Sequence, residues 1–560
     1  MTRMKAGQGI IELLRAEGVE YTFGLVGLTT NSIVTEMYDR SDIKFVDTRH
    51  EEGAAFMAYG YTKATGRPAA CLTTSGPGTI NLITGVSLAY KGRAPVVVIG
   101  GDTARDFVGR DGTQAFDLVN LFKPITNWTT QVNMTERIPE AFRNAFRVAL
   151  TPPRGPVFVD IPRDLMDDLE VDWDIQPPES YRAVNTSTPG DVEAVRRAAD
   201  LLAGAERPLL LAGGGVIESG ATEETVRLAE LLDMALVPSY GHHDAVPNSH
   251  PLYVGPPGGR GSGEASQAIH RADVVLALGC RLNQQTTGWN DSIIAPGTTI
   301  VQVDYDPQQI GRNFPVTSGI VGDAGAVAGQ LLDELRSRFP EGRGNPAWRA
   351  EVQGLAAARR ARLWSEHSIS ADPMMPQQVY PALNRALPQD CMVTIDAGVA
   401  PGLSYDRLSF ELPRTMFNYS DQGGLGMGYC VGLGTKLGRP DRPAVSIQGD
   451  GGFLYTSGEI NTAVRWNNPP VSIVLNNSCH GAEKAQQMRN YDGRYIGVDL
   501  QNPRFDRLAE VYGAKGYYVE RASDIGEAVT DALAQGRPSV IEIPVEEYFP
   551  LPAPTPSASG

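Results

Sequence analysis

Short apolar runs rich in Val, Ile and Leu recur along the chain: PVVVIGG, VFVDIPRD, PLLLAGGG, VVLALG, TIVQVD, MVTIDAG, AVSIQGD, PVSIVLNN and SVIEIPV. Between them lie longer stretches, such as TEETVRLAELLDM, AVAGQLLDELRSRF and DRLAEVYGA, whose apolar positions return at helical spacing. Runs that are apolar at nearly every position suit strands buried on both faces. Their alternation with helices predicts parallel sheets covered on either side. The expected fold class is α/β, with three doubly wound domains and mainly parallel sheets. Pro-, Ser- and Gly-rich stretches at 176–191, and from 339–348 through 368–378, interrupt the pattern. They predict domains over 1–175, 190–338 and 370–548, followed by a poorly ordered tail over 549–560. The first and third segments share an order of strand, Gly-rich turn and helix, which hints at related folds.

Composition narrows the function. No apolar stretch of the 560 residues approaches the roughly 20 that a membrane span needs. The opening MTRMKAGQGIIELLRAEGVE carries acids and helical spacing where a signal peptide needs an unbroken apolar core. A soluble, cytoplasmic protein without a membrane partner is expected. The formal charge of −16, with no cluster of Lys and Arg, argues against a nucleic-acid surface. Cys71, Cys280, Cys391, Cys430 and Cys479 are scattered and form no CxxC pair, so neither a disulfide framework nor a zinc site is indicated. The tandem His242-His243 has no acid partners for a metal, and its expected place is the rim of an active site.

The most informative stretch is GDGGFLYTSGEINTAVRWNNPPVSIVLNN, residues 449–477. It predicts a strand ending near Gln448, a turn over Gly449, Asp450, Gly451 and Gly452, a helix with Thr456 and Glu459 spaced as a capping box, and a second strand after Pro469-Pro470. A right-handed crossover makes the two strands parallel, so Asp450 and Asn477 emerge at the same carboxyl edge, where α/β sheets bind ligands. A carboxylate, an amide oxygen and a nearby main-chain carbonyl suit a hard cation such as Mg²⁺. The glycines admit a diphosphate close to the backbone, and the next helix aims N–H groups at it.

This stretch resembles the metal and diphosphate motif of thiamine-diphosphate-dependent enzymes, and the three-segment layout matches that family over nearly the whole chain. The resemblance implies pyrimidine-binding, central and diphosphate-binding domains. It implies Mg²⁺ ligation by Asp450, Asn477 and the backbone oxygen of Cys479. It also implies a catalytic carboxylate against the cofactor's aminopyrimidine, and FVDTRHEEGAAFMAYGYTKATGR resembles that segment; the match selects Glu51 over Glu52, which spacing alone does not separate. TTSGPGTINLITGVSLAY resembles the Gly-Pro-Gly turn around Pro77. GRDGTQAFDLVNLFKPITNW resembles the acetolactate synthase branch, which sets Gln114 near the reacting centre. In SDQGGLGMGYCVGLG, Met427 falls at the apolar residue under the cofactor and Leu425 at the carbonyl facing its amino group. The family's active site lies between subunits, which implies a homodimer or homotetramer.

The chain also departs from that branch. TIDAGVAPGLSY presents Val399 and Ala400 after Gly398, where a Gln-His pair contacts the diphosphate. Asn283-Gln284-Gln285 replaces the charged residues expected beside FAD, which argues against a bound flavin. FGLVGLTTNS leaves Leu28 and Thr29 to shape the substrate pocket, pointing to an altered substrate. The GAEK run after His480 resembles sulfoacetaldehyde acetyltransferase; there Lys484 and Arg489 can bind an anionic group and His480 can relay protons. The leading expectation is an acetolactate-synthase-like carboligase or decarboxylase acting on a 2-oxo acid or aldehyde. The alternatives are a lyase passing an acyl group to phosphate and a non-catalytic regulatory protein that binds the cofactor. A hydride-transferring enzyme is disfavoured, since no GxGxxG closes a strand ahead of a ribose-binding acid.

Overall fold

A computed structural model of the protein describes residues 2–166 and 170–548; the expected tail over 549–560 lies outside them. Three parallel sheets carry the fold. The first has, in spatial order, strands Lys44–Asp47, Tyr21–Leu25, Ala69–Thr73, Val96–Asp102, Val157–Pro162 and Trp128–Gln131. The central sheet has Ala235–Pro238, Pro208–Ala212, Val274–Leu278, Thr299–Asp304 and Ser318–Val321. The third has Met416–Phe417, Met392–Ile395, Ala444–Gly449, Val471–Asn476, Ser539–Pro544 and Lys515–Tyr518. Numbered by chain order within each sheet, both six-stranded sheets read 2-1-3-4-6-5 and the central one 2-1-3-4-5.

The order reverses in each sheet between its first and third strands, and that reversal opens a crevice at the carboxyl ends. Three such switch points position everything described below. The α/β expectation therefore holds, and the N-terminal segment adds an unforeseen detail: Thr2–Lys5 is a strand paired antiparallel with Glu170–Trp173. Only the following stretch, Ala6–Ala16, is helical. Among the described residues, no helix is long and apolar enough to cross a membrane.

The first and third sheets share one hydrophobic core, the central sheet has its own, and a third core packs the other face of the first sheet. The shared core is built on two helices, Glu51–Thr65 and Met427–Gly438, both buried over most of their lengths. Their backbones approach so closely that a Cβ on Gly434 would stand 2.0 Å from the Met57 carbonyl oxygen, and one on Gly60 2.3 Å from that of Val431. Glycine is required there for proximity, not for its dihedral freedom. From the third domain, Glu459 accepts the backbone N–H groups of Arg49 and His50, each at 2.9 Å, and so braces the approach to the first of these helices.

Candidate active site in two halves

In the third sheet, Gly449 and Leu475 are register partners on adjacent parallel strands, so the residues after each emerge side by side. The expected turn over 449–452 is instead a helix start: Asp450–Thr456 is helical from its first residue, with Gly449 as cap. Thr456 and Glu459 form no capping box. The Thr456 hydroxyl donates to the Gly426 carbonyl at 2.7 Å, and the Glu459 carboxylate turns to the first domain and to Thr462. Tertiary partners outbid the local motif.

Asp450 is 1% exposed. Its Oδ2 accepts the Asn502 Nδ2 at 2.6 Å, and the same Nδ2 donates to Asn476 Oδ1 at 2.9 Å. Burial pushes the Asp450 carboxyl above its usual range, opposed by hydrogen bonds from Asn502 and from the N–H groups of Gly451 and Ser478. The carboxamide oxygen of Asn477 faces Asp450 Oδ1 at 3.3 Å and the Cys479 carbonyl oxygen at 3.1 Å, acceptor against acceptor on both sides. Turning the amide over would give hydrogen bonds to both; in the other orientation its oxygen stands beside two further oxygens. That donor set suits a hard divalent cation.

These residues line a cavity of about 80 Å³ together with Gly398, Leu425, Gly449, Gly451, Gly452, His480 and Glu483. Among the described residues no Lys or Arg lines it, so an anion there depends on a cation and on backbone N–H groups. The His480 ring lies over the turn: a Cβ on Gly451 would come within 2.7 Å of it. Met427 is fully buried beneath the cavity rather than on its wall, at the start of a helix capped by Gly426 with φ 81°. Lys484 is committed elsewhere, ion-paired with Asp499 at 2.7 Å and with Glu547, and these partners push its pKa up. Gly481, Ala482 and Glu483 of the GAEK run line the cavity instead, and Glu483, which the sequence reading passed over, brings the charged group.

The first sheet's switch point carries a different set. Glu51 opens its helix, 6% exposed, and its Oε2 accepts the Asn81 Nδ2 at 3.0 Å. A Cβ on Gly78 would stand 3.2 Å from Glu51 Oε1, so the Gly-Pro-Gly turn at Pro77 leaves room for this carboxylate. Glu52 is more open, and its pKa is raised by burial against the opposing pull of His50 and a hydrogen bond with Thr84. Thr29 Oγ1 lies 3.1 Å from Thr74 Oγ1 and accepts the Ser75 N–H at 3.1 Å, while Ser75 Oγ donates to Gln114 Oε1 at 2.8 Å. Leu28, beside them, is 64% exposed. Thr29 and Gln114 thus meet through Ser75, as Gly398, Leu425, Asp450, Asn477, Cys479 and His480 meet at the third sheet's edge, where Met427 and Lys484 stay off the cavity wall. Within one chain the two sets do not share a cavity: every residue lining the Asp450 cavity belongs to the third domain.

A further cavity of about 110 Å³ opens at the central sheet's switch point, lined by Gly214, Gly279, Lys63, Arg93, Glu218 and His242 among others. Of the histidine pair, His242 lines this cavity, and neither lines the Asp450 cavity. His242 faces this space, and His243 is fully buried with its ring edge-on to Tyr240 and Tyr405. Asn283, also on its wall, donates to Asp421 Oδ2 at 2.6 Å and caps the helix Gln284–Thr287. Residues that sequence reasoning missed include Asn81, Asp396, Asn502 and Glu483. Only Asp396, an acid closing a strand ahead of glycine as Asp450 does, left a readable signal.

Three parallel sheets with crevices at their switch points, one of them lined by Asp450, Asn477 and the glycines around Gly449, define an α/β protein of the ligand-binding, doubly wound class. Residues 4–121, 195–331 and 396–543 match the N-terminal TPP binding domain, the central domain and the C-terminal TPP binding domain of thiamine pyrophosphate enzymes. The chain belongs to this family, and so to enzymes that form or cleave C–C bonds. It is 33% identical over 558 residues to the probable acetolactate synthase large subunit of Methanocaldococcus jannaschii, covering 98% of this chain and 93% of that one. It is 33% identical to the acetolactate synthase large subunit of Corynebacterium glutamicum, covering 97% and 87%. It is 31% identical to the sulfoacetaldehyde acetyltransferase of Castellaniella defragrans, covering 95% and 90%.

Proposed function

We propose that the protein is a thiamine-diphosphate- and Mg²⁺-dependent carboligase of the acetolactate synthase type, acting on a 2-oxo acid or aldehyde donor. The observation that carries the reading is the convergence of Asp450 Oδ1, the Asn477 carboxamide oxygen and the Cys479 carbonyl oxygen, 3.1 and 3.3 Å apart about Asn477. Octahedral Mg²⁺ with oxygens at about 2.1 Å sets neighbouring ligands about 3 Å apart and leaves the other positions for water and phosphate oxygens. The absence of Lys and Arg from this cavity wall fits a metal-bound diphosphate. When bound, the cofactor supplies a thiazolium carbon that attacks a carbonyl and then accommodates negative charge on the carbon attacked.

The chain's own residues supply the rest. Glu51, kept dry and oriented by Asn81, holds a proton against the pyrimidine nitrogen and returns it during turnover. Leu425, on the cavity wall, would offer its carbonyl to the pyrimidine, and Met427, buried at the start of the next helix, would back the segment that carries it. Gln114 and Thr29, tied together through Ser75, border the substrate, with Leu28 beside them. His480 stands at the diphosphate turn as a proton relay. Glu51 is supplied by one copy of the chain and Asp450 by a second, in a homodimer or a pair of such dimers. The exposed apolar residues at both edges, Leu28, Phe107 and Phe116 on one side and Tyr455, Tyr491 and Ile496 on the other, support that pairing.

The test is product analysis with magnesium and thiamine diphosphate present. Pyruvate should yield a 2-hydroxy-3-oxo acid. Acetyl phosphate and sulfite from sulfoacetaldehyde with phosphate would replace this reading by the acyltransferase one, which the GAEK run and the Castellaniella relative support. Failure to exchange the thiamine C2 proton would favour a non-catalytic role.

A further inference from the structure

Asp396 follows the strand Met392–Ile395 and is fully buried. Its Oδ1 accepts the Ala397 N–H at 2.7 Å and its Oδ2 the Gly426 N–H at 3.1 Å; the Gly428 N–H donates to it as well. A Cβ on Gly452 would stand 2.8 Å from Oδ2, and one on Gly428 2.9 Å from the Asp396 Cβ. Among the described residues no cationic side chain pairs with it, and burial pushes its carboxyl up to about 7. A carboxylate buried without a cation is a poor source of stability compared with an apolar side chain of the same size. Its hydrogen bonds point to another role.

The segments it joins supply one. Ala397 lines the Asp450 cavity, Gly426 follows Leu425 on the cavity wall, Gly428 follows Met427, and Gly452 closes the diphosphate turn. Asp396 itself lies beneath the floor and touches none of the open space. We propose that Asp396 is a positioning residue: by holding the N–H groups of Ala397, Gly426 and Gly428 against Gly452, it sets the separation between the segment carrying Leu425 and Met427 and the diphosphate turn. The cavity then accepts the two ends of one thiamine diphosphate in register. This inference rests on the cofactor reading above and extends it to a residue outside the site.

The experiment compares two ligands by titration calorimetry, each with magnesium: thiamine diphosphate, which spans both segments, and pyrophosphate, which engages the turn alone. Asp396→Asn should weaken thiamine diphosphate by about 10- to 100-fold, the scale of a lost charged hydrogen bond, and pyrophosphate by less than about threefold. Its melting temperature should be unchanged or higher. Equal losses for both ligands, or a loss for neither, would overturn the proposal, as would a lower melting temperature with affinity intact. Should Asp396→Asn fail to fold, Gly426→Ala leaves Asp396 in place but displaces the segment whose N–H it holds, since the new Cβ would meet the Tyr455 Cβ at 2.6 Å. The same split between ligands is expected, and its absence counts against the proposal equally. Wild-type protein that binds neither ligand would refute the cofactor reading instead.

Discussion

The two six-stranded sheets share one strand order but carry opposite equipment at their switch points. In the third domain, the Asn477 carboxamide sets its oxygen against two further acceptors, Asp450 Oδ1 and the Cys479 carbonyl oxygen. In the first, the Glu51, Thr29, Ser75 and Gln114 side chains already satisfy one another or a neighbour such as Asn81. Under the proposed function, the third domain's edge is completed by a cation and the first domain's edge holds a proton and a shape. A repeated scaffold therefore fixes where a ligand goes, while a few residues at the strand ends decide what that edge does to it.

The strongest way to break this comparison is to disable each edge separately. Asp450→Ala should reduce magnesium-dependent affinity for thiamine diphosphate by more than about 100-fold, since even outer-shell partners of a metal act on that scale. Glu51→Gln should leave affinity within about tenfold and lower kcat by about 10²- to 10⁴-fold, the usual weight of a positioned acid or base. If the halves come from different copies, mixing the two inactive variants and allowing exchange restores about one quarter of wild-type activity, because half the dimers then carry one intact site of two. No recovery on mixing, with exchange verified by mass, would place both halves in one chain.

A smaller effect sharpens the account of the metal edge. Asn502→Ala removes the donor to Asp450 Oδ2 and should cost about 10- to 100-fold in magnesium affinity, with thiamine diphosphate held saturating. An unchanged value would mean that Asp450 needs no orienting partner.

These roles were unevenly legible in the sequence. Uniform apolar runs revealed parallel strands, and Asp450 and Asn477 were readable because a βαβ crossover converts a separation along the chain into adjacency at one edge. Asn81 and Asn502 were not readable. They reach their carboxylates from loops and helices whose approach depends on packing between elements, which no local spacing encodes. The Thr456 and Glu459 pair misled for the same reason, a local motif whose side chains found better partners in Gly426 and across the domain junction. Lys484 looked like an anion ligand because the two acids that hold it are 15 and 63 residues away.

The joint between the two edges can be probed by adding one methyl group. Gly434→Ala places a Cβ against the Met57 carbonyl oxygen and should destabilise by about 1–3 kcal/mol, the cost of overpacking, measured by urea denaturation. Gly526→Ala, in the helix Ala522–Ala534 with nothing within 4 Å of its Cβ, should stabilise by about 0.5–1 kcal/mol from helix propensity alone. The pair separates close approach from generic glycine cost.

The smallest expected effect concerns Gln114, which combines a side-chain bond to Ser75 with a backbone φ of 66°. A non-glycine residue there costs on the order of 1 kcal/mol, a strain tolerated where geometry serves a site. Gln114→Ala keeps the strain and loses the hydrogen bond; Gln114→Gly loses both. The glycine variant should therefore be about 1 kcal/mol more stable than the alanine variant by urea denaturation. If the side chain alone serves the substrate, the two should share one kcat/KM, reduced by no more than about tenfold. If the strained backbone itself positions the loop, the glycine variant should be the slower of the two despite its greater stability. That crossing of stability and rate would show the first domain's edge to be held in shape by its backbone as well as by its side chains.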